Sequence, residues 1–344
     1  MENKTIRVAI NGAGRIGRAF LRLIQNVPEI EVVAINDLGD IENVVYLLKY
    51  DTVYGAAQFA VKASDDKKSI MVNDREIEFL SEKNPSDLPW KYLNIDVVIE
   101  ATGAFTTFKK AGAHIEAGAK KVIITAPAKD APSDESQATI LMGINDDKLT
   151  TCQISSNASC TTNAAAPLIY ILNEKIGVEK AILNTVHGYT ASQSIVDGPN
   201  KKDWKEGRSG GQNIIPTKTG AATAVAKAVP ELEGKFDGLS MRVPIISGSI
   251  ADITFIAKRE TSVEEINKIL KEAAALEKWQ GIFTITEDPI VSSDIIGSLF
   301  GSIADLGLTR VIDKNLVKVC AWYDNEMGYT ATLIKHVLKM GKYL

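Results

Sequence analysis

Two side chains in this sequence could do covalent chemistry. Cys160 lies in SNASCTTN (156–163), a polar run followed at once by AAAPLIYIL, a helix-forming stretch. A thiol at a helix N-terminus faces the positive end of the helix dipole, which lowers its pKa and raises its thiolate fraction. The other reading of a free cysteine is a small buried hydrophobe, and the Ser, Thr and Asn neighbours of Cys160 argue against it. Cys152 and Cys320 follow or sit within strand-like runs and read as structural. Among the three histidines, His114 falls in a helical stretch and His336 on a terminal helix, both structural or solvated. His187 ends an apolar strand and opens HGYTASQ, the strand-edge position at which a general base belongs. Residue types alone leave open whether Cys160 and His187 meet.

A second kind of chemistry is written near the start of the chain. Gly12, Gly14 and Gly17 form a G-x-G-x-x-G pattern directly after an apolar strand and before a helix. In that context the glycines let the chain turn tightly and bring helix N-terminal N–H groups up to a pyrophosphate. Asp37 closes the second strand 25 residues after Gly12, where a carboxylate can accept hydrogen bonds from an adenosine ribose. The bland alternative is a tight strand-to-helix turn plus a solvated Asp. Asp37 would also repel a 2′-phosphate by roughly 1–4 kcal/mol at contact distance. No Arg or Lys follows it within ten residues, so NAD is expected rather than NADP.

Holding such groups takes two kinds of domain. The 344 residues are too many for one ordinary core and comfortable for two domains. The apolar runs IRVAI (6–10), EVVAI (31–35), DVVIE (96–100), KVIIT (121–125) and ATILMGI (138–144) alternate with helical patterns such as Arg18–Gln25 and Ile41–Lys49. That alternation predicts an α/β fold, an N-terminal Rossmann doubly wound parallel sheet whose strands are covered on both faces. SDDKKS (64–69) and AKDAPSDES (128–136) read as surface turns. Beyond residue 160 the strands lengthen and alternate, as in AILNTVH (181–187), SIADITFIAK (249–258) and LVKVCAWY (316–323). They predict a second, α+β domain built on a mainly antiparallel sheet. Ser262–Glu265 reads as a capping box opening a helix to about Leu276. The polar, Gly-rich segment 188–216 is long for a loop inside a compact chain and points to function or an interface. Asn325–Leu344 reads as a C-terminal helix.

Composition removes other classes. Lys plus Arg number 39 against 43 Asp plus Glu, a net charge of −4, which offers no basic footprint for nucleic acid and no cationic face for a membrane. No apolar run approaches the roughly 20 residues of a spanning helix. The opening MENKTIRVAING enters a strand pattern at once and leaves no room for a secretory leader. Cysteines are scarce and odd in number, which fits a reducing cytosol. A cytoplasmic location is expected, and no metal.

SNASCTTN, joined by HGYT, QNIIPTKTGAA (212–222), MRVP (241–244) and WYDNEMGY (322–329), resembles the phosphorylating glyceraldehyde-3-phosphate dehydrogenases. The likeness runs from NGAGRIGR to the last helix, with blocks in order and spacing. It implies an NAD-binding Rossmann domain over 1–158, a catalytic domain over 159–324 with the family's S-loop at about 188–216, and a C-terminal helix, 325–344, returning to the first domain. It implies Cys160 as nucleophile and His187 as base. Arg15 and Ile16 would lie at the pyrophosphate, Thr102 and Thr125 along the cofactor, and Asn325 at the nicotinamide carboxamide. Ser159, Thr161, Thr219 and Gly220 match the inorganic phosphate site, and Thr190, Arg208 and Arg242 match positions of phosphate recognition. The implied reaction is oxidative phosphorylation of glyceraldehyde 3-phosphate to 1,3-bisphosphoglycerate through a thioester, in a homotetramer.

Three positions depart from the family. Ala164 stands where a second cysteine often follows the nucleophile, Glu206 where many bacterial members carry Arg, and Lys218 where Ser is usual. The alternative function is an erythrose-4-phosphate dehydrogenase, which hydrolyses the thioester. RNA binding at the dinucleotide groove or thiol redox sensing would be secondary roles, the latter weakened by Ala164.

Overall fold

The structure, a computed structural model, describes residues 5–344. The first four residues of the opening MENKTIRVAING lie outside the described residues. The chain forms two compact units, one of Met1–Ala158 with Leu333–Leu344 and one of Ser159–Thr332.

The first unit runs β1 (Ile6–Asn11), α1 (Arg15–Leu23), β2 (Ile30–Asn36), α2 (Ile41–Lys49), β3 (Val61–Ala63), β4 (Ser69–Val72), β5 (Arg75–Leu80) and β6 (Val97–Glu100). It continues through α3 (Phe108–Ala111), α4 (Ala113–Glu116), β7 (Lys121–Ile124), β8 (Gln137–Thr139) and β9 (Ile154–Ser156). All nine described strands share one sheet, in the order β3-β4-β5-β2-β1-β6-β7-β9-β8. β1 pairs in parallel with β2 on one side and β6 on the other. The strand order therefore reverses at β1, and the ends of β1 and β6 form the crevice where doubly wound sheets take ligands. Val8, Ile10, Val98, Ile99, Val122 and Ile124 are buried, because helices and loops cover these strands on both sides and apolar side chains alone suit both faces. Trp90, Phe108 and Ile95 complete the core around Val98, Val122 and Ile124.

Two local expectations are corrected here. The first helix begins at Arg15 rather than Arg18, because Gly14 in extended conformation serves as its N-cap and the glycine turn feeds directly into it. The run ATILMGI is a strand only to Thr139. Beyond it the Asn145 side chain accepts from Leu141 N at 2.7 Å and donates to Thr139 O at 2.9 Å, so a side chain takes the groups a neighbouring strand would have paired. Ile140, Leu141 and Met142 are still buried, as core rather than as strand.

The second unit contains α5 (Cys160–Ile176), β10 (Val178–Gly188), β11 (Ile215–Lys218), α6 (Ala221–Ala228), β12 (Phe236–Val243), β13 (Ser249–Ala257), α7 (Val263–Ala274), β14 (Phe283–Thr286), β15 (Ser302–Ile312) and β16 (Leu316–Tyr323). Its seven strands lie in the order β11-β12-β10-β13-β16-β15-β14. β10 with β12 and β14 with β15 are parallel, and the remaining pairs are antiparallel. β13 alternates buried and half-buried residues along its whole length, the mark of a sheet with one face on the core. At α7, Ser262 Oγ accepts from Glu265 N at 3.2 Å. The Glu265 carboxylate turns to Arg259 and Thr261 instead of back to Ser262, so only half of the capping box forms. The last helix, α8 (Met327–Gly341), starts on Asp324, whose Oδ1 accepts from Glu326 N and Met327 N. Near its end Gly341 packs directly against β1, since a Cβ there would fall 2.1 Å from Ile6 Cδ1.

Candidate active site

In the first unit the glycine turn is built as its spacing demands. Gly12 has φ +105°, and a Cβ there would lie 2.7 Å from Thr102 N. A Cβ on Gly17 would lie 2.2 Å from Gly12 O, whereas Gly14 faces open space. Any side chain at Gly12 or Gly17 would prise the turn from β6 or from its own helix. Gly14 leaves the start of α1 approachable, and that start carries no side-chain cap among the described residues. An anion could take those N–H groups. Asp37, one residue past β2, accepts from Ala13 N at 2.7 Å through Oδ2 and from Gly39 N at 2.8 Å through Oδ1. The carboxylate is therefore part of the turn. These features fit a dinucleotide.

The edge of this crevice hangs on a buried carboxylate. Glu100, the last residue of β6, accepts from Asn11 Nδ2 at 2.6 Å and from Thr102 N at 2.9 Å. It also receives the Thr102 hydroxyl and His114 Nε2, the latter at 3.1 Å. Trp90 Nε1 lies 3.0 Å from His114 Nδ1. An indole N–H can only donate, so His114 accepts at Nδ1 and donates from Nε2 to Glu100. Thr125 Oγ1 donates to Glu100 O at 3.0 Å. Thr102 and Thr125 thus flank one strand end. The Arg15 side chain is paired with Asp51 and lies over the Tyr54 ring. Ile16, next in the first turn of α1, is half-buried.

In the second unit Cys160 is the first residue of α5, and Ser159 is its N-cap, accepting from Thr162 N at 3.1 Å. β10 carries His187 to the same point, with Cys160 Sγ 3.4 Å from His187 Nε2. His187 Nδ1 lies 2.6 Å from Gly188 O, which can only accept. Arg242 Nη1, which can only donate, lies at the same 2.6 Å from Nδ1, so these two contacts do not fix which ring nitrogen carries the proton. Arg242 is the cross-strand partner of His187 in β12. Its Nη1 also donates to Gly188 O at 3.3 Å. Burial pushes His187 down to about 3, and the Arg242 cation adds to the effect.

The expectation of a lowered thiol pKa is corrected. The Cys160 thiol is pushed up by burial, which outweighs the opposing pull of Arg242 and Thr161. Cys160 keeps some exposed surface, but its sulfur sits deep among protein atoms, where a thiolate loses more hydration than the first turn returns. Both shifts favour a neutral thiol beside a neutral imidazole. Cys152 and Cys320 are buried, with thiols pushed by burial to about 11 and about 12.

The remaining residues divide. Thr161 is buried, with its hydroxyl 2.9 Å from Tyr323 OH. Thr219 Oγ1 accepts from Ala221 N at 3.2 Å, and Gly220 caps α6 with open space where a side chain would be. Asn325 Oδ1 is held by Gly248 N at 3.1 Å and Ser249 Oγ at 3.0 Å, which leaves its NH₂ as the group it can offer. Thr190 N donates to Gln193 Oε1 at 3.0 Å. Arg208 is exposed and paired with Asp197 at 2.8 Å. Glu206 accepts from Gln193 Nε2 at 3.3 Å, and Lys218 is exposed. His336 is buried, as the structural reading has it, with Ser155 and Asn157 each 3.0 Å from its ring nitrogens. Sequence reasoning gave no role to Glu100 or Tyr323. Their partners lie far along the chain, and the only local signal for Tyr323 is its place two residues before Asn325.

A glycine-turn parallel sheet and a second sheet bearing a thiol–imidazole pair define a two-unit α/β protein of the dinucleotide-binding class. A family model described as glyceraldehyde 3-phosphate dehydrogenase, NAD binding domain, matches residues 6–108. One described as the C-terminal domain of the same enzyme matches residues 159–325. Glyceraldehyde-3-phosphate dehydrogenase 2 of Streptomyces avermitilis is 46% identical over 343 residues, covering 99% of this chain and 100% of that protein. Glyceraldehyde-3-phosphate dehydrogenase 3 of Saccharomyces cerevisiae is 44% identical over 339 residues, covering 97% and 99%. Glyceraldehyde-3-phosphate dehydrogenase of Clostridium acetobutylicum is 44% identical over 341 residues, covering 98% of each. The chain belongs to the glyceraldehyde-3-phosphate dehydrogenase family.

Proposed function

We propose that the protein oxidises glyceraldehyde 3-phosphate with NAD and captures the acyl group on inorganic phosphate, giving 1,3-bisphosphoglycerate. The observation that carries the reading is Cys160 Sγ, at the start of α5, 3.4 Å from His187 Nε2. The thiol proton passes to His187 Nε2 as sulfur attacks the aldehyde carbon. A C–S bond forms and the carbonyl π pair moves to oxygen. His187 Nε2–H and the first-turn N–H groups of α5 stabilise that oxygen. His187 returns the proton to make a hydroxyl, then takes it back as hydride leaves the carbon and a thioester forms. Bound NAD supplies the hydride acceptor. Attack of a hydrogen phosphate oxygen on the thioester breaks the C–S bond; the leaving sulfur takes the proton held by His187, and the proton of the attacking phosphate passes to solvent. Splitting the reaction at a covalent intermediate replaces one hard step by two easier ones.

Gly12, Gly14, Gly17 and the Arg15 and Ile16 backbone would hold the pyrophosphate, Asp37 the adenosine ribose, and Thr102 and Thr125 the crevice edge. The Asn325 NH₂ would hold the nicotinamide carboxamide. Ser159, Thr161, Thr219 and Gly220 would serve the inorganic phosphate, and Arg242, Thr190 and Arg208 the anionic end of the substrate. A homotetramer is supported by apolar side chains on the 188–216 segment, Ile195 and Trp204 being 90% and 87% exposed. No described helix is long and apolar enough to cross a membrane. A cytoplasmic location is part of the same proposal. The test is NADH formation from glyceraldehyde 3-phosphate and NAD with and without inorganic phosphate. Steady turnover that needs phosphate supports the reading, and full turnover without it transfers the protein to the hydrolytic, erythrose-4-phosphate type.

A further inference from the structure

A buried phenol beside the thiol–imidazole pair takes no part in these steps. Tyr323 ends β16 and is 1% exposed. Its OH lies 2.9 Å from Thr161 Oγ1 and 2.7 Å from Thr185 Oγ1. Thr185 Oγ1 donates to Ile250 O at 3.2 Å. That fixes the sense of the chain, because a hydroxyl has one proton. Thr185 accepts from the phenol, and the phenol accepts from Thr161.

The three residues reach different parts of the site. Thr161 follows the nucleophile in the first turn of α5. Thr185 stands two residues before His187 on β10, hence on the same face of the sheet. The Tyr323 ring meets the His187 ring edge-on, with centroids 5.8 Å apart at 73°. Tyr323 is also the cross-strand partner of Ser249, whose hydroxyl holds Asn325. One side chain therefore links the helix that carries the sulfur to the strand that carries the imidazole. Burial pushes the phenol's pKa up, so it remains a neutral link.

We propose that Tyr323 is a positioning residue: by joining the Thr161 and Thr185 hydroxyls and bracing the His187 ring, it sets the approach of Cys160 Sγ to His187 Nε2. The inference rests on the reading of Cys160 as nucleophile and His187 as base. A phenol that merely filled the core would affect stability and leave the reactivity of the sulfur alone.

Tyr323→Phe keeps the ring and deletes the hydroxyl. The measurements are the rate constant of the NADH burst with glyceraldehyde 3-phosphate, the pH profile of Cys160 alkylation by iodoacetamide, and the KM for NAD. Small displacements of reacting groups cost up to about 100-fold, so the burst should slow by about 10- to 100-fold. The alkylation profile should shift, while the KM for NAD stays within about two-fold because the cofactor groups are untouched. Thr185→Val should reproduce the loss, Thr185→Ser should restore it, and Tyr323→Phe with Thr185→Val should be no slower than the worse single variant. Parent-like burst and alkylation in Tyr323→Phe overturn the inference. If Tyr323→Phe fails to fold, equal burst rates for Thr185→Val and Thr185→Ser overturn it instead. His187→Asn separates the two levels. Parent-like kinetics there overturn the base reading and the inference together, whereas an impaired His187→Asn beside a normal Tyr323→Phe overturns the inference alone.

Discussion

Replacing Asp37 by Asn removes one charge and almost no volume from the ribose end of the glycine turn. The carboxylate accepts from Ala13 N at 2.7 Å and from Gly39 N at 2.8 Å. Hydrogen bonds to a charged group contribute about 1.5–3 kcal/mol each. Asn can keep one of them, while its NH₂ would oppose the other N–H. The turn therefore loses about 2 kcal/mol, less whatever rotation of a half-buried side chain recovers. Asp37→Gly would lose both bonds and free the backbone, which makes Asn the cleaner probe. For NAD, the weaker ribose acceptor costs about 1–2 kcal/mol, a fall in kcat/KM of about 5- to 30-fold. For NADP, repulsion between the carboxylate and a 2′-phosphate, roughly 1–4 kcal/mol at contact, disappears. The ratio of kcat/KM for NADP to that for NAD should rise at least about 10-fold. Initial rates with each cofactor, at low and high salt, measure it. The gain should shrink in salt, since repulsion at an exposed edge is screened. A ratio within about two-fold of the parent, in a variant that remains folded, would refute the assignment of Asp37 to the ribose.

Cys160→Ser should lower kcat by far more than about 100-fold while NAD binding, followed by titration, stays near the parent's; retention of a hundredth of the activity would end the covalent reading. Without phosphate, NADH should appear in a burst of about one per active site, and Thr219→Ala should raise the phosphate concentration that restores turnover; an unchanged requirement would remove Thr219 from that site. Burial holds His336 at about 3, below an unfolded value of about 6.5. As pH falls, the unfolded chain takes a proton that the folded one refuses, so the stability present above about pH 6.5 is lost towards pH 3, at up to about 1.4 kcal/mol per pH unit. His336→Gln should flatten the dependence of the unfolding midpoint on pH in that window, and an identical slope in variant and parent would mean that His336 does not carry it.

What could be read from the sequence, and what could not, follows from the distance over which each determinant acts. The central strands of the parallel sheet were legible because burial on both faces makes each a continuous apolar run. α2 spans Ile41–Lys49, as its periodicity predicts, because Asp40 accepts from Glu42 N and Asn43 N and so fixes the start locally. β3, β4, β5 and β9 carry no such signal: three are only three or four residues long, and the fourth, REIEFL, is half charged. The fate of Ile140–Met142 turned on the side chain of Asn145, which no apolar pattern reveals. At the thiol the same division decides the chemistry. The start of α5 and its Ser159 cap are local, and both argue for a lowered pKa. The protein that buries the sulfur comes from strands far away in sequence, and it reverses the sign. His187, 27 residues on, and Tyr323, linked to Thr161 across 162 residues, belong to that second category. A helix start can therefore nominate a nucleophile from sequence. Whether the sulfur rests as thiolate or gives up its proton only during attack is decided by desolvation and by a base carried on β10.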